Sequence, residues 1–383
     1  MTALAAGHLG TDFANGALPA LLPFLKDRFS LSYTLAALVM LSSTASSSLV
    51  QPLFGLWSDR RGALWLLPTG VAVAGVGIGL AAAMPAYWLV VLLVAVSGLG
   101  VAAYHPEGSK FAAYTSGERR ASGMSAFSIG GNIGFAMGPI VATPLVVALG
   151  LGGGLLLAVP CLAIAAMLLV VTPFLRTFVP ERSTRPQASG DDRPGALVLL
   201  LAVIGFRSLA WFGLITFVPL WEVSLGHSNA HGNHLLSLML LFGGLGTIAA
   251  GPLADRVGRR PVLIVSLALA APLTLVFITV GGIPGAIALC GVGICVIGTF
   301  GVTMVMSQEY LPRHIGTASG LSVGLSIGLG GIAAVALGAL ADTVDLRAAL
   351  YVCAAAPIAG LALTLLLPPS RARRRFEPEA AVS

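Results

Sequence analysis

Apolar stretches of about twenty residues recur from one end of this 383-residue chain to the other, separated by short polar loops. Each is long enough to cross roughly 30 Å of hydrocarbon as a helix. Charged residues make up 9% of the chain and hydrophobic ones 57%, whereas a soluble globular chain carries roughly 25% charged residues. So few charges cannot cover a water-facing surface, and the bilayer is the solvent this chain is built for. Spans are expected near residues 3–25, 32–57, 64–84, 86–108, 121–147 and 151–173, then 196–221, 234–254, 261–282, 285–309, 315–341 and 346–368. The first, which lacks a basic leader and contains His8 and Asp12, reads as a retained span rather than a cleaved signal peptide.

The net charge of +6 lies in short clusters between spans, which makes it a signal of topology and excludes a nucleic-acid partner. Of the 21 Lys and Arg, 17 fall in the loops and tail on the side of the two termini. Only Lys26, Arg28 and Arg347 fall on the other, and Arg207 lies inside a span. The asymmetry predicts both termini in the cytoplasm of a bacterial-type inner membrane. Cys161, Cys290, Cys295 and Cys353 all sit within apolar segments without metal-type spacing, as small reduced core residues.

The longest polar stretch, TFVPERSTRPQASGDDRPG, divides the chain. The expected organisation is a bundle over 1–175, a flexible linker over 176–195, a second bundle over 196–368 and a basic tail over 369–383. The halves echo each other. GLWSDRRG at 55–62 matches GPLADRVGRR at 251–260 at an offset of 196, and ASGMS at 121–125 matches ASGLS at 318–322 at an offset of 197. Two motifs at nearly one spacing indicate a duplicated six-span unit.

The Gly-x-x-x-Asp-Arg loop, present in both halves, is the signature of the major facilitator superfamily, which the chain resembles over its whole length. The resemblance implies an all-α membrane protein of twelve helices in two pseudo-symmetric six-helix bundles. Gly55 and Gly251 allow close helix approach, while Asp59 and Asp255 can accept hydrogen bonds from a neighbouring helix N-terminus. With Arg60 and Arg256 they form the loop that, in the family, latches the outward-open state without touching substrate. Gly130, Gly134 and Gly138 recur on one face of the fifth span beside Pro139, a packing stripe similar to the glycine-proline motif of the superfamily's drug:proton antiporters. HLGTDFANGALPALLPFLKDRFSLS (8–32), AYHPEGSKFAAYTSGERRASG (103–123) and FSIGGNIGFAMGPI (127–140) resemble its fosmidomycin-resistance branch, whose members are efflux carriers and whose named drug is a small phosphonate anion.

An ionisable side chain at mid-membrane costs roughly 2.5–3.5 kcal/mol on insertion scales, so each one asks for a reason. His8, Asp12 and Asn15 fall on one face of the first span, and Asp12 is either a proton carrier or a helix-to-helix anchor. In the fourth span Tyr104, His105 and Glu107 flank Pro106, which is expected to break the helix. Glu107 is a second proton-carrier candidate, with a place at the interface beside Lys110 as the alternative. Arg207, with Trp211 one turn on, suits an anionic substrate, because guanidinium offers a planar fork of donors to a carboxylate or phosphonate; its alternative is an internal ion pair with an acid such as Asp12. His8, Asn15, Gln51, His105, Arg207 and Trp211 form the expected substrate contacts, with Ser307, Gln308 and Glu309 as lesser polar candidates. His227, His231 and His234 crowd one external loop, but only Glu222 is near them, and neither a metal nor any cofactor is expected. The partners implied are a small-molecule substrate, protons and membrane lipids around a monomer. The function expected is proton-coupled export by alternating access, with proton symport of a sugar or organic acid as the rival and no enzyme activity.

Overall fold

A computed structural model describes residues 1–61, 63–116, 120–178 and 191–368; the side chains of Asp59, Arg60 and Arg61, most of the linker and the tail lie outside what is described. Nothing but helix is expected of a chain whose backbone must satisfy its own polar groups in lipid, and the described chain is helical throughout its spans. The first half contains α1 (Thr2–Phe29), α2 (Tyr33–Arg61), α3 (Leu66–Ala83), α4 (Tyr87–Thr115), α5 (Arg120–Leu149) and α6 (Ala158–Leu175). The second contains α7 (Pro194–Ser224), α8 (Asn229–Val257), α9 (Arg259–Val280), α10 (Gly282–Gly298), α11 (Phe300–Tyr310), α12 (Ile315–Thr343) and α13 (Leu346–Thr364).

Among the described residues eleven spans are long and apolar enough to cross a membrane on composition alone, with α10 and α11 together forming one of them. The twelfth is α1, 28 residues long, which is less apolar because His8, Asp12 and Asn15 lie within it. The structure corrects two expectations about helix breaks. The fourth span is one unbroken helix through Pro106, because a single missing donor does not end a helix held in hydrocarbon by its remaining bonds. The tenth span instead breaks at Thr299, where no proline stands. There Gly298 lies against Gly246, and a Cβ on it would come within 2.9 Å of that residue's carbonyl carbon.

Within the first half α1 packs on α5, α3, α4 and α6; within the second α7 packs on α12 and α13, and α10 on α8 and α9. The linker's last residues belong to the second half: Arg193 N–H donates to Tyr310 O at 2.7 Å, and Asp192 accepts from the Arg313 N–H at 3.1 Å. The halves meet chiefly along α2 with α12 and α5 with α8.

These two seams close at the end opposite the termini and part toward the termini. At the closed end the Asp342 carboxylate of α12 accepts from Tyr33 N–H at 2.7 Å, Thr34 N–H at 2.9 Å and the Thr34 hydroxyl at 2.6 Å, capping α2 from the other half. Asn233 of α8 donates to Ala20 O at 3.0 Å and Thr143 Oγ1 at 2.9 Å. The glycines of α12 measure the divergence. A Cβ on Gly338 would meet the α2 backbone at 2.8 Å and one on Gly328 only the Ser48 Cβ at 3.9 Å, while one on Gly324 or Gly320 would find no described atom within 4 Å. On the other seam Gly244 is close to Asn132, whereas Gly251 has nothing described within 4 Å. Between α2 and α12 the parting leaves an apolar crevice of about 370 Å³ lined by Leu41, Ala45, Ser48, Leu325 and Ile332 among others.

Candidate functional site

His8 and Asp12 stand one turn apart on α1, and α4 brings His105 to the same carboxylate. His8 Nε2 lies 3.3 Å from Asp12 Oδ2 and His105 Nε2 lies 3.5 Å from Oδ1, with all three side chains only partly exposed. The other ring nitrogens are committed: His8 Nδ1 is 2.8 Å from Phe127 O and His105 Nδ1 is 2.8 Å from Val101 O. A carbonyl only accepts, so both Nδ1 atoms must carry hydrogen. A neutral ring then presents a bare Nε2 to a carboxylate oxygen, acceptor against acceptor. Each contact becomes a hydrogen bond only when a proton enters it, on the ring or on the carboxyl. The cluster therefore has two proton positions on either side of one carboxylate.

The packing fixes this arrangement. The His8 ring stacks on Phe127 at 4.2 Å between centroids and stands edge-on to His105 at 5.0 Å, and the Tyr104 hydroxyl donates to Leu4 O at 2.5 Å. Gly131 of α5 leaves the space: a Cβ there would lie 2.5 Å from His8 Nε2 and 2.6 Å from Asp12 Oδ2. Gly130, Gly134 and Gly138 bring α5 onto the backbone of α1, where their Cβ positions would strike Ala5, Leu9 and Gly16; Pro139 continues within the helix. The glycine stripe is thus the α1–α5 contact that places Asp12. Asn15, three residues beyond Asp12, and Gln51 of α2 are half-buried and make no hydrogen bond to the cluster among the described residues.

Glu107 does not join Asp12. Fully buried, it pairs with Lys110 Nζ at 2.7 Å, accepts from the Ser58 hydroxyl, and receives the Ala63 N–H at 3.4 Å. Two positions separate it from His105, and on a helix they face different ways. Among the described residues the two acids share no partner. Glu107 instead anchors the end of α2 and the following loop on α4, where Gly55 also approaches Pro106.

Arg207 is 2% exposed in the second half, between α7, α10 and α12. It donates to Val296 O at 2.9 Å and Ser326 Oγ at 3.4 Å, and its Nε has no partner. Among the described residues no carboxylate lies within ion-pair distance, which rules out the pairing with Asp12. The side chain is packed rather than lining an open cavity, with Phe300 5.6 Å from its guanidinium. Trp211, one turn on, does reach the seam and meets Phe135 at 6.2 Å between ring centroids.

The loop motif of the second half is disengaged. Asp255 pairs with Arg259 at 3.6 Å rather than capping a neighbouring helix, Arg259 reaches Glu309 at 2.7 Å, and Arg256 is exposed. Asp342 and Asn233, which close the opposite end, went unassigned in the sequence; only their place in the external loops and helix ends pointed to them. Two groups bring three possible metal ligands within 4.8 Å of one another among the described residues. In His8–Asp12–His105 the two nitrogens face different oxygens of one carboxylate. In Glu222–His227–His231 both nitrogens face one oxygen.

Comparison with known proteins fits this geometry. The model of the Major Facilitator Superfamily matches residues 4–334 and 200–382. The chain belongs to the major facilitator superfamily. Like other members it is a multi-pass membrane transporter. It is 33% identical to the MFS-type transporter YfnC of Bacillus subtilis and 29% identical to the fosmidomycin resistance protein of Escherichia coli, in both cases over 96% of this chain and 92% of the relative. Among solved structures, the nucleoside transporter NupG superposes with a TM-score of 0.74 at 13% identity, covering 96% of this chain and 99% of NupG. A bacterial homologue of the human lysosomal transporter Spinster, inward-facing and occupied, superposes with a TM-score of 0.74 at 15% identity, covering 98% of each. These two show that the fold is that of a major facilitator.

Proposed function

We propose that this transporter exports a small anionic or drug-like molecule, driven by protons moving the other way, through alternating access. The observation that carries the reading is the carboxylate of Asp12 set between two imidazoles whose remaining nitrogens can only accept: the group holds protons where a major facilitator switches sides. The Lys and Arg asymmetry supports a cytoplasmic position for the termini, and hence for the open end. Substrate enters there while the relay gives its protons up. The halves then rock, the seams at the outer end part, substrate leaves, and protons from outside refill the relay and favour the return. Arg207 supports an anionic substrate, because a buried guanidinium without a carboxylate partner among the described residues is costly and is relieved by an anion once the movement of the helices packed on it opens it to the cavity. The likeness to a fosmidomycin resistance protein supports outward transport. Expression of the chain in an efflux-deficient host, followed by a growth-inhibition screen against small phosphonates, organic acids and lipophilic drugs, tests it. Selective resistance to an anionic class is the expected outcome; growth enabled on a sugar or organic acid, with no resistance, would favour import by symport.

A further inference from the structure

The corner between α7 and α8 holds a cluster that the transport reading does not use. Glu222, 5% exposed, sits in the last turn of α7. The chain then reverses through Gly226, whose φ of 90° suits glycine, and α8 starts on Ser228, whose hydroxyl accepts from His231 N–H at 3.1 Å. Gly232 clamps the corner, since a Cβ there would lie 2.8 Å from Pro219 O and 3.2 Å from Glu222 Cβ. The result is that His227 Nδ1 lies 2.6 Å and His231 Nε2 lies 3.4 Å from the same Glu222 Oε2, with the rings 4.7 Å apart. His234, which the sequence groups with these two, takes no part.

We propose that Glu222, His227 and His231 form a binding site for a divalent transition-metal ion of the Zn²⁺ type on the face opposite the termini. Two imidazole nitrogens and one carboxylate are the donor set that Zn²⁺ takes at about 2.0–2.2 Å, with water as fourth ligand. The three donor atoms already lie within 4.8 Å of one another, so a tetrahedral site needs only small side-chain movements. The carboxylate is buried and fixed, while both imidazoles are half-exposed, which leaves an entry path and room for the water. All three ligands belong to the second half, so the ion binds the inward-open and outward-open states alike. A ligand with equal affinity for both states shifts neither; it stabilises the fold instead.

The test is Zn²⁺ titration of chelator-stripped, full-length protein purified without a histidine tag, followed by calorimetry and by thermal unfolding. One Zn²⁺ per chain is expected, with a rise in Tm. His227→Ala, His231→Ala and Glu222→Gln should each weaken binding by tenfold or more, since even losing an outer-shell partner costs about 10–100-fold. His8→Ala and His105→Ala should leave it unchanged. His227 and His231 are half-exposed, so circular dichroism should confirm that their variants fold. Absence of stoichiometric binding, or binding that survives in both His227→Ala and His231→Ala, or binding lost instead in His8→Ala, would overturn the proposal.

Discussion

At the scale of single residues, the proposed function assigns proton coupling to Asp12 in the first half and substrate binding to Arg207 in the second. Asp12→Asn removes the carboxylate from between the imidazoles and is expected to abolish transport driven by a pH gradient while sparing substrate binding, whereas Glu107→Gln, in an ion pair elsewhere, should act through stability. The comparison of gradient-driven uptake with equilibrium binding for the two variants checks this; equal loss of coupling in both would return Glu107 to the relay. Arg207→Ala should weaken an anionic ligand by roughly 10–100-fold, the worth of charged hydrogen bonds of about 1.5–3 kcal/mol, and Arg207→Lys should recover only part because a point charge lacks the fork. A ligand bound as tightly by Arg207→Ala as by wild type would make the arginine purely structural. Residue identity was legible in the sequence for His8, Asp12 and His105, because ionisable groups in apolar spans stand out. Their mutual contact was not, since it depends on the rotation of α4 against α1. The place of Glu107 beside Lys110 was offered by their spacing of three on α4, whereas its contacts with Ser58 and Ala63 depend on the fold of the α2–α3 loop.

At the scale of helices, glycine spacing decides how close α5, α1, α2 and α12 can come. Gly131→Ala would place a methyl group 2.5 Å from His8 Nε2, so it should impair gradient-driven transport, while Gly301→Ala, with no described atom within 4 Å of the new Cβ, is the control. Equal activity of the two variants would show that the relay tolerates displacement. The three bonds from α2 to Asp342 form a helix cap supplied by the other half, and capping of this kind is worth about 0.5–2 kcal/mol. Asp342→Ala should therefore shift the population toward the outward-open state by roughly 2–30-fold, read as increased labelling of a cysteine placed in the outer seam. Unchanged labelling would mean that Asn233 and the apolar contacts hold the seam alone. The glycine stripe of α5 was readable as a packing surface from its spacing, and the structure supplies its partner, α1. The break at Thr299 was not readable, because no proline marks it.

At the scale of the whole molecule, twelve apolar stretches and a repeat offset of 196 residues were enough to read the architecture, because lipid leaves a helical chain few alternatives. The state in which the halves rest could not be read, since it depends on a balance of contacts such as Asp342 with Thr34 at one end and the disengaged Asp255 at the other. The central claim is that protons passing through the Asp12 relay drive the substrate outward. Its most direct measurement is substrate accumulation in inside-out vesicles under an imposed pH gradient, acidic inside, with wild type and Asp12→Asn compared across pH about 5.5 to 8. The account predicts that wild-type vesicles concentrate substrate only while the gradient lasts and that Asp12→Asn vesicles at most equilibrate it. Accumulation by Asp12→Asn equal to wild type at every pH would contradict it.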